Sequence, residues 1–357
     1  MVKEERSSAF ELLRITAMYL VVVGHVVLST AQDTLPYLGA VDNTGWFVKA
    51  FTVAAVNCFF LLTGYFSKSE RRGFDKVAKI WIKTIFYSIT VYVIISLFQR
   101  NFELKEAIGY MFPIFTCKYW YMQVYIVLAL LMPYISLLTE KISKRRYIYL
   151  MIILLLFFSV HETFIPVRYT LDVTQGYGII WACVMLTAGK WLKLYADEYI
   201  KKIPQILWLC AYIAVSLLIF ISNCLIVRYD IAGGIASRGN FYAYNSVTVF
   251  SQSIFLFCFF ISLSQNMKNI ELINSIGKNC VSVYLISAHP LVLYPLWIRF
   301  FNMNRYHANI MQYLFQGFLF SALVFCVCIV IDKIVDLTAA ALNIRRLIKK
   351  LGIIISE

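Results

Sequence analysis

Two ionisable residues in the apolar stretch ELLRITAMYLVVVGHVV, residues 11–27, have the type and spacing to do chemistry: Arg14 and His25. Eleven residues are close to three helical turns, so on a helix the two side chains return to within about 20° of one another, roughly 16 Å apart along the axis. Glu11 precedes Arg14 by three residues, the spacing of a pair on one helix face. An ionisable residue inside a membrane span costs on the order of 3 kcal/mol and usually faces a cavity or a partner. Taken singly, Arg14 can snorkel to head groups and His25 can bond between helices. Taken together on one face, they predict a cationic site near one membrane boundary and a deeper imidazole suited to taking a proton near neutral pH. His25 is therefore the candidate general base, and Arg14, nearer the membrane boundary on the same face, is the second candidate catalytic residue.

A second group follows. The stretch NCFFLLTGYF, residues 57–66, leads into SKSERRGFDKVAKIWIK, where Arg71, Arg72, Lys76, Lys79 and Lys83 crowd together. Thr63 and Gly64 allow another helix to approach closely. The basic cluster either sets membrane topology or seats a phosphorylated ligand. Aromatic residues mark the other boundary: Trp120, Tyr121 and Tyr125 open one apolar run, with Gln123 among them, and Tyr177 and Trp181 open another. Such residues form an interfacial belt or a platform on which sugars stack. Trp120, Tyr121, Tyr125 and Asn57 are the candidate substrate contacts. His161, Glu162 and His307 read as loop residues. The nine cysteines form no C-x-x-C pair and read as small apolar residues, so no metal site is expected.

The elements that must position these groups are membrane spans. Of 357 residues, 61% are hydrophobic and 15% charged, and the mean hydropathy is +0.73, values outside the range of soluble domains. Ten apolar runs are centred near residues 20, 56, 89, 128, 153, 184, 214, 255, 288 and 321. Threaded through a bilayer with both termini cytoplasmic, they leave 24 of the 33 Lys and Arg residues inside and 9 outside, as the positive-inside rule requires. The net charge of +14 thus reports topology, and no nucleic-acid partner is expected. The first run lacks an A-x-A-like cleavage site and reads as a retained span. The expected fold is an all-α integral membrane protein, a single bundle of about ten transmembrane helices. It comprises a membrane domain over 1–332 and, over 333–357, a cytoplasmic amphipathic tail with Ile334, Leu337, Ala341, Leu342 and Ile348 on its apolar side.

The pattern resembles the membrane-bound acyltransferase-3 family. Arg14, ten residues and His25 match its first motif, and FFLLTGYF matches a Phe-Phe-x-x-Ser-Gly-like motif with Thr63 in place of serine. Lys76 and Lys79 fit a pair of basic residues three apart, with lysine for arginine. KYWYMQVYIVLALLMP and IGKNCVSVYLISAHPLV are similar to later family segments, and His289 in the second is a secondary candidate. The resemblance implies transfer of an acyl group, commonly acetyl, from cytoplasmic acyl-CoA to a hydroxyl of an exopolysaccharide, capsule or lipid-linked glycan in a bacterial plasma membrane. Acetyl-CoA would be the donor substrate, with no permanently bound cofactor; its phosphates suit Arg71, Arg72, Lys76, Lys79 and Arg14. Direct attack and a relay through an acyl-histidine both remain open.

A different class, a transporter or flippase for a polysaccharide precursor, predicts ionisable residues in many spans or a repeat with broken helices. The sequence reads as concentrating intramembrane charge in the first span and shows no repeat. A glycan polymerase is disfavoured because its usual large outer loop is missing.

Overall fold

A computed structural model describes residues 7–69, 73–165, 171–172, 174–231, 233–234 and 238–341. Nine helices among them are long and apolar enough to cross a membrane, and no strand occurs among the described residues. In chain order the helices are α1 (Ser8–Thr30), α2 (Ala40–Thr52), α3 (Ala54–Tyr65), α4 (Gly73–Gln99), α5 (Leu104–Met111), α6 (Trp120–Lys141), α7 (Lys144–Leu155) and α8 (His161–Phe164). After these come α9 (Ile179–Trp191), α10 (Asp197–Lys202), α11 (Gln205–Arg228), α12 (Val247–Leu263), α13 (Glu271–Ser287), α14 (Leu293–Pro295) and α15 (Ile310–Ala341). The helices α2 and α3 stack end to end into one span, Ala40–Tyr65.

The bundle is built around α1, which packs against α2, α3, α12, α13 and α15. Small residues permit this: Ala9 and Ala17 are fully buried, and Gly277 of α13 lies where a Cβ would collide with Glu11. The two helices start together, since Ser8 bonds Asn274 at 2.8 Å and accepts from the Ile270 N–H at 2.7 Å. Many large apolar side chains elsewhere face outward, among them Leu97, Phe98, Met311 and Phe315. In water such a surface would be untenable; against lipid it costs nothing.

The ninth apolar run, centred near residue 288, is not one continuous helix. Its first part is α13, which stops at Ser287; the chain turns through Ala288–Val292 and resumes as α14 and a π-helical turn, Leu296–Phe300. Pro290 has no N–H to continue a helix. The turn is held by His289, whose Nδ1 accepts the Leu291 N–H at 3.1 Å while Nε2 meets the Ser88 carbonyl at 3.2 Å. At the other end of the chain, α15 runs unbroken through position 333 to Ala341, and residues 342–357, with most of the expected amphipathic tail, lie outside the described residues.

Candidate active site

Arg14 and His25 lie on one helix as their spacing demands. Arg14 Nη1 is 2.5 Å from Glu11 Oε1, with Glu11 buried and Arg14 one-third exposed. The guanidinium also acts electrostatically on the hydroxyls of Tyr121 and Tyr125 of α6. Eleven residues on, His25 lines a cavity of about 160 Å³. Its Nδ1 is shut off from solvent, and no hydrogen-bond partner meets it among the described residues. Among the described residues no carboxylate bonds this ring, and it lines the open space of the cavity.

The cavity wall joins residues far apart in the chain. Trp120 and Tyr121 of α6 contribute, as do Tyr177 before α9, Tyr244 before α12 and Tyr284 of α13. Trp120, Tyr177 and Tyr244 form a mutual cluster, with ring centroids 4.5 Å, 4.8 Å and 5.8 Å apart. Tyr121 is wedged among Phe59, Phe60, Trp120, Tyr125 and Tyr284. It lines the cavity and lies within electrostatic reach of Arg14. Three of the four candidate substrate contacts thus belong to one aromatic wall, Tyr125 through its stacking on Tyr121 at 5.9 Å.

Asn57 does not line the cavity. It is fully buried, donates to the Tyr244 carbonyl at 2.8 Å and accepts from the Trp181 indole at 3.0 Å. It braces the wall from behind, and Trp181, aligned by sequence with the interfacial aromatics, is a core residue. His161 and Glu162 stand away from the cavity; Glu162 is buried and accepts the N–H groups of Leu171 and Asp172, organising the following loop. His307 is half-buried against Tyr313 rather than freely solvated.

Of the basic cluster, Arg71, Arg72 and the side chain of Lys76 lie outside the described residues. Lys79 is exposed near the start of α4. Lys83 is committed elsewhere, 2.8 Å from the fully buried Asp332 of α15, which Tyr87 also bonds at 2.6 Å. The expectation that intramembrane charge concentrates in the first span is therefore corrected. Lys190 of α9 pairs with Glu140 and bonds the Ser67 carbonyl, each at 2.7 Å, and Lys49 of α2 stands in the cavity wall. Hydropathy averaging hid these residues, because a single charge in a long apolar window barely moves the mean. Lys49, Gln32, Tyr244 and Tyr284 line the cavity without having been site candidates from sequence; the isolation of Lys49 in an apolar stretch and the family-like segment around Tyr284 were the available signals.

A multi-span helical bundle with a half-enclosed aromatic cavity, lined by a histidine whose Nδ1 has no partner among the described residues, defines a membrane protein with an internal reaction or binding chamber. The family model for the acyltransferase domain of acyltransferase family 3 matches residues 7–333, and the chain belongs to that family. It is a membrane acyltransferase. No curated protein and no solved structure gave a significant match.

Proposed function

We propose that this acyltransferase moves an acyl group, commonly acetyl, from acyl-CoA to a hydroxyl of an exopolysaccharide, capsule or lipid-linked glycan, with His25 as general base. The observation that carries the reading is the His25 ring, which lines the aromatic cavity and has no hydrogen-bond partner at Nδ1 among the described residues. Trp120, Tyr177 and Tyr244 offer ring faces on which a sugar stacks. The sugar hydroxyl oxygen attacks the thioester carbonyl carbon as the imidazole takes its proton; the C–S bond then breaks, and the thiolate of CoA leaves and is reprotonated.

The donor is assigned to the end of the bundle where α1 begins, taken to be cytoplasmic in a bacterial plasma membrane. Arg14, Lys79 and the neighbouring Arg71, Arg72 and Lys76 suit its phosphates, each charge-assisted contact contributing about 1.5–3 kcal/mol. The acceptor is assigned to the aromatic cavity beyond Tyr121.

The test is His25→Ala, assayed with purified protein, radiolabelled acyl-CoA and a glycan acceptor. The variant is expected to fold, since loss of one polar group from a helical bundle costs only about 1–2 kcal/mol. Its transfer rate is expected to fall at least about a hundredfold, the low end for removal of a general base, while acyl-CoA still binds. Transfer near the wild-type rate would make His25 a packing residue and defeat the mechanism.

A further inference from the structure

Two donors in the cavity wall have no part in the proton transfer. Lys49 is the lone charged residue between Asp42 and Lys68, and it lines the same cavity as His25. Its Nζ lies 4.6 Å from the Trp46 ring centroid and 5.6 Å from that of Tyr242. Among the described residues no carboxylate lies within the 4.0 Å of an ion pair with it. Its neighbour Arg238, 4.5 Å from the same indole, is engaged by Asp42 at 2.6 Å and by Asp33 at 3.5 Å; Asp33 acts on Lys49 only from longer range. Gln32, just past the end of α1, also lines the cavity, and its Nε2 is buried without a partner among the described residues.

Aromatic faces attract an ammonium but accept no conventional hydrogen bond from it. The half-buried Lys49 ammonium and the buried Gln32 amide both lack acceptor oxygens among the described residues, which is costly unless water or a ligand brings them. We infer that Lys49 and Gln32 form an anion subsite of the acceptor pocket, so that the acceptor carries a carboxylate or phosphate near the hydroxyl that is acylated. The inference rests on the proposed function, in which the aromatic cavity takes the acceptor. An acidic sugar and a sugar phosphate, free or lipid-linked, share this chemistry.

The full-length protein in nanodiscs is tested for equilibrium binding and for acyl transfer with a methyl hexoside, the matching methyl hexuronoside and the matching hexose phosphate. Wild-type protein is expected to prefer one anionic acceptor to the neutral one by at least about tenfold, in keeping with one charge-assisted hydrogen bond; the preferred arm identifies carboxylate or phosphate. Lys49→Met should abolish the preference by raising the acceptor KM without changing the acyl-CoA KM. Lys49→Arg should retain most of it, and Gln32→Leu should weaken anion binding. Equal use of neutral and anionic acceptors by the wild type, or an undiminished preference in a folded Lys49→Met protein, overturns the subsite. Should Lys49→Met not fold, the wild-type preference and Gln32→Leu decide the matter. Transfer without anionic preference leaves the proposed function standing and removes the subsite. Lys49-dependent anion binding without any transfer from acyl-CoA does the reverse.

Discussion

Asn57 is uncharged and does not line the cavity, yet it joins two parts of its wall: one end of its amide holds the Tyr244 backbone and the other the Trp181 indole. Asn57→Leu strips a partner from each of two buried groups, at about 1–3 kcal/mol apiece. Thermal melts should show a lowered Tm, and kinetics should show a raised acceptor KM with little change in the acyl-CoA KM. An unaltered acceptor KM in the folded variant would separate Asn57 from the positioning of Tyr244. Residue-level legibility follows from how local each relation is. The Glu11–Arg14 pair and the shared face of Arg14 and His25 are consequences of helical periodicity and could be read directly. Trp120 and Tyr121 were legible as boundary aromatics, but their union with Tyr244 and Tyr284 depends on contacts across more than a hundred residues of chain. Nothing near Tyr244 in sequence announces it, and the family-like segment around Tyr284 gives no sign of what that ring meets.

At the scale of helices, α3 and α9 approach one another closely. A Cβ at Gly64 would collide with the Leu186 backbone, and one at Gly189 with the Leu61 backbone. These are backbone atoms, which cannot swing aside as a side-chain tip does. Gly64→Ala is expected to cost about 1–3 kcal/mol through overpacking and to lower Tm in detergent, with Gly189→Ala doing the same. Wild-type stability in both variants would mean that the two helices do not lie this close. Gly64 was legible as a small residue suited to close packing; its opposite number was not, because Gly189 lies in a stretch with no comparable motif. The broken element after Ser287 was hidden for another reason. Hydropathy counts Ala288, Val292 and Leu293 as apolar and cannot register that Pro290 ends the hydrogen-bond ladder or that His289 rebuilds it as a turn.

Across the whole molecule, alternating helices put the loops into two groups, and the basic residues favour the group beside the start of α1. A Cys-reduced variant that retains the exposed Cys117, between α5 and α6, should react with an impermeant maleimide on intact cells. A second variant bearing Lys268→Cys, exposed between α12 and α13, should react only after permeabilisation. The reverse pattern would invert the orientation and with it the assignment of donor and acceptor sides. Against that orientation the Tyr121 collar has a further meaning. A wet path running from Arg14 to the aromatic cavity would be a leak, and each charge crossing it would dissipate about 2.3 kcal/mol per 100 mV of membrane potential. Rings packed around Tyr121 from α3, α6 and α13 set apolar surface along that path, so that the membrane stays insulating around the one cavity in which donor and acceptor would meet at His25.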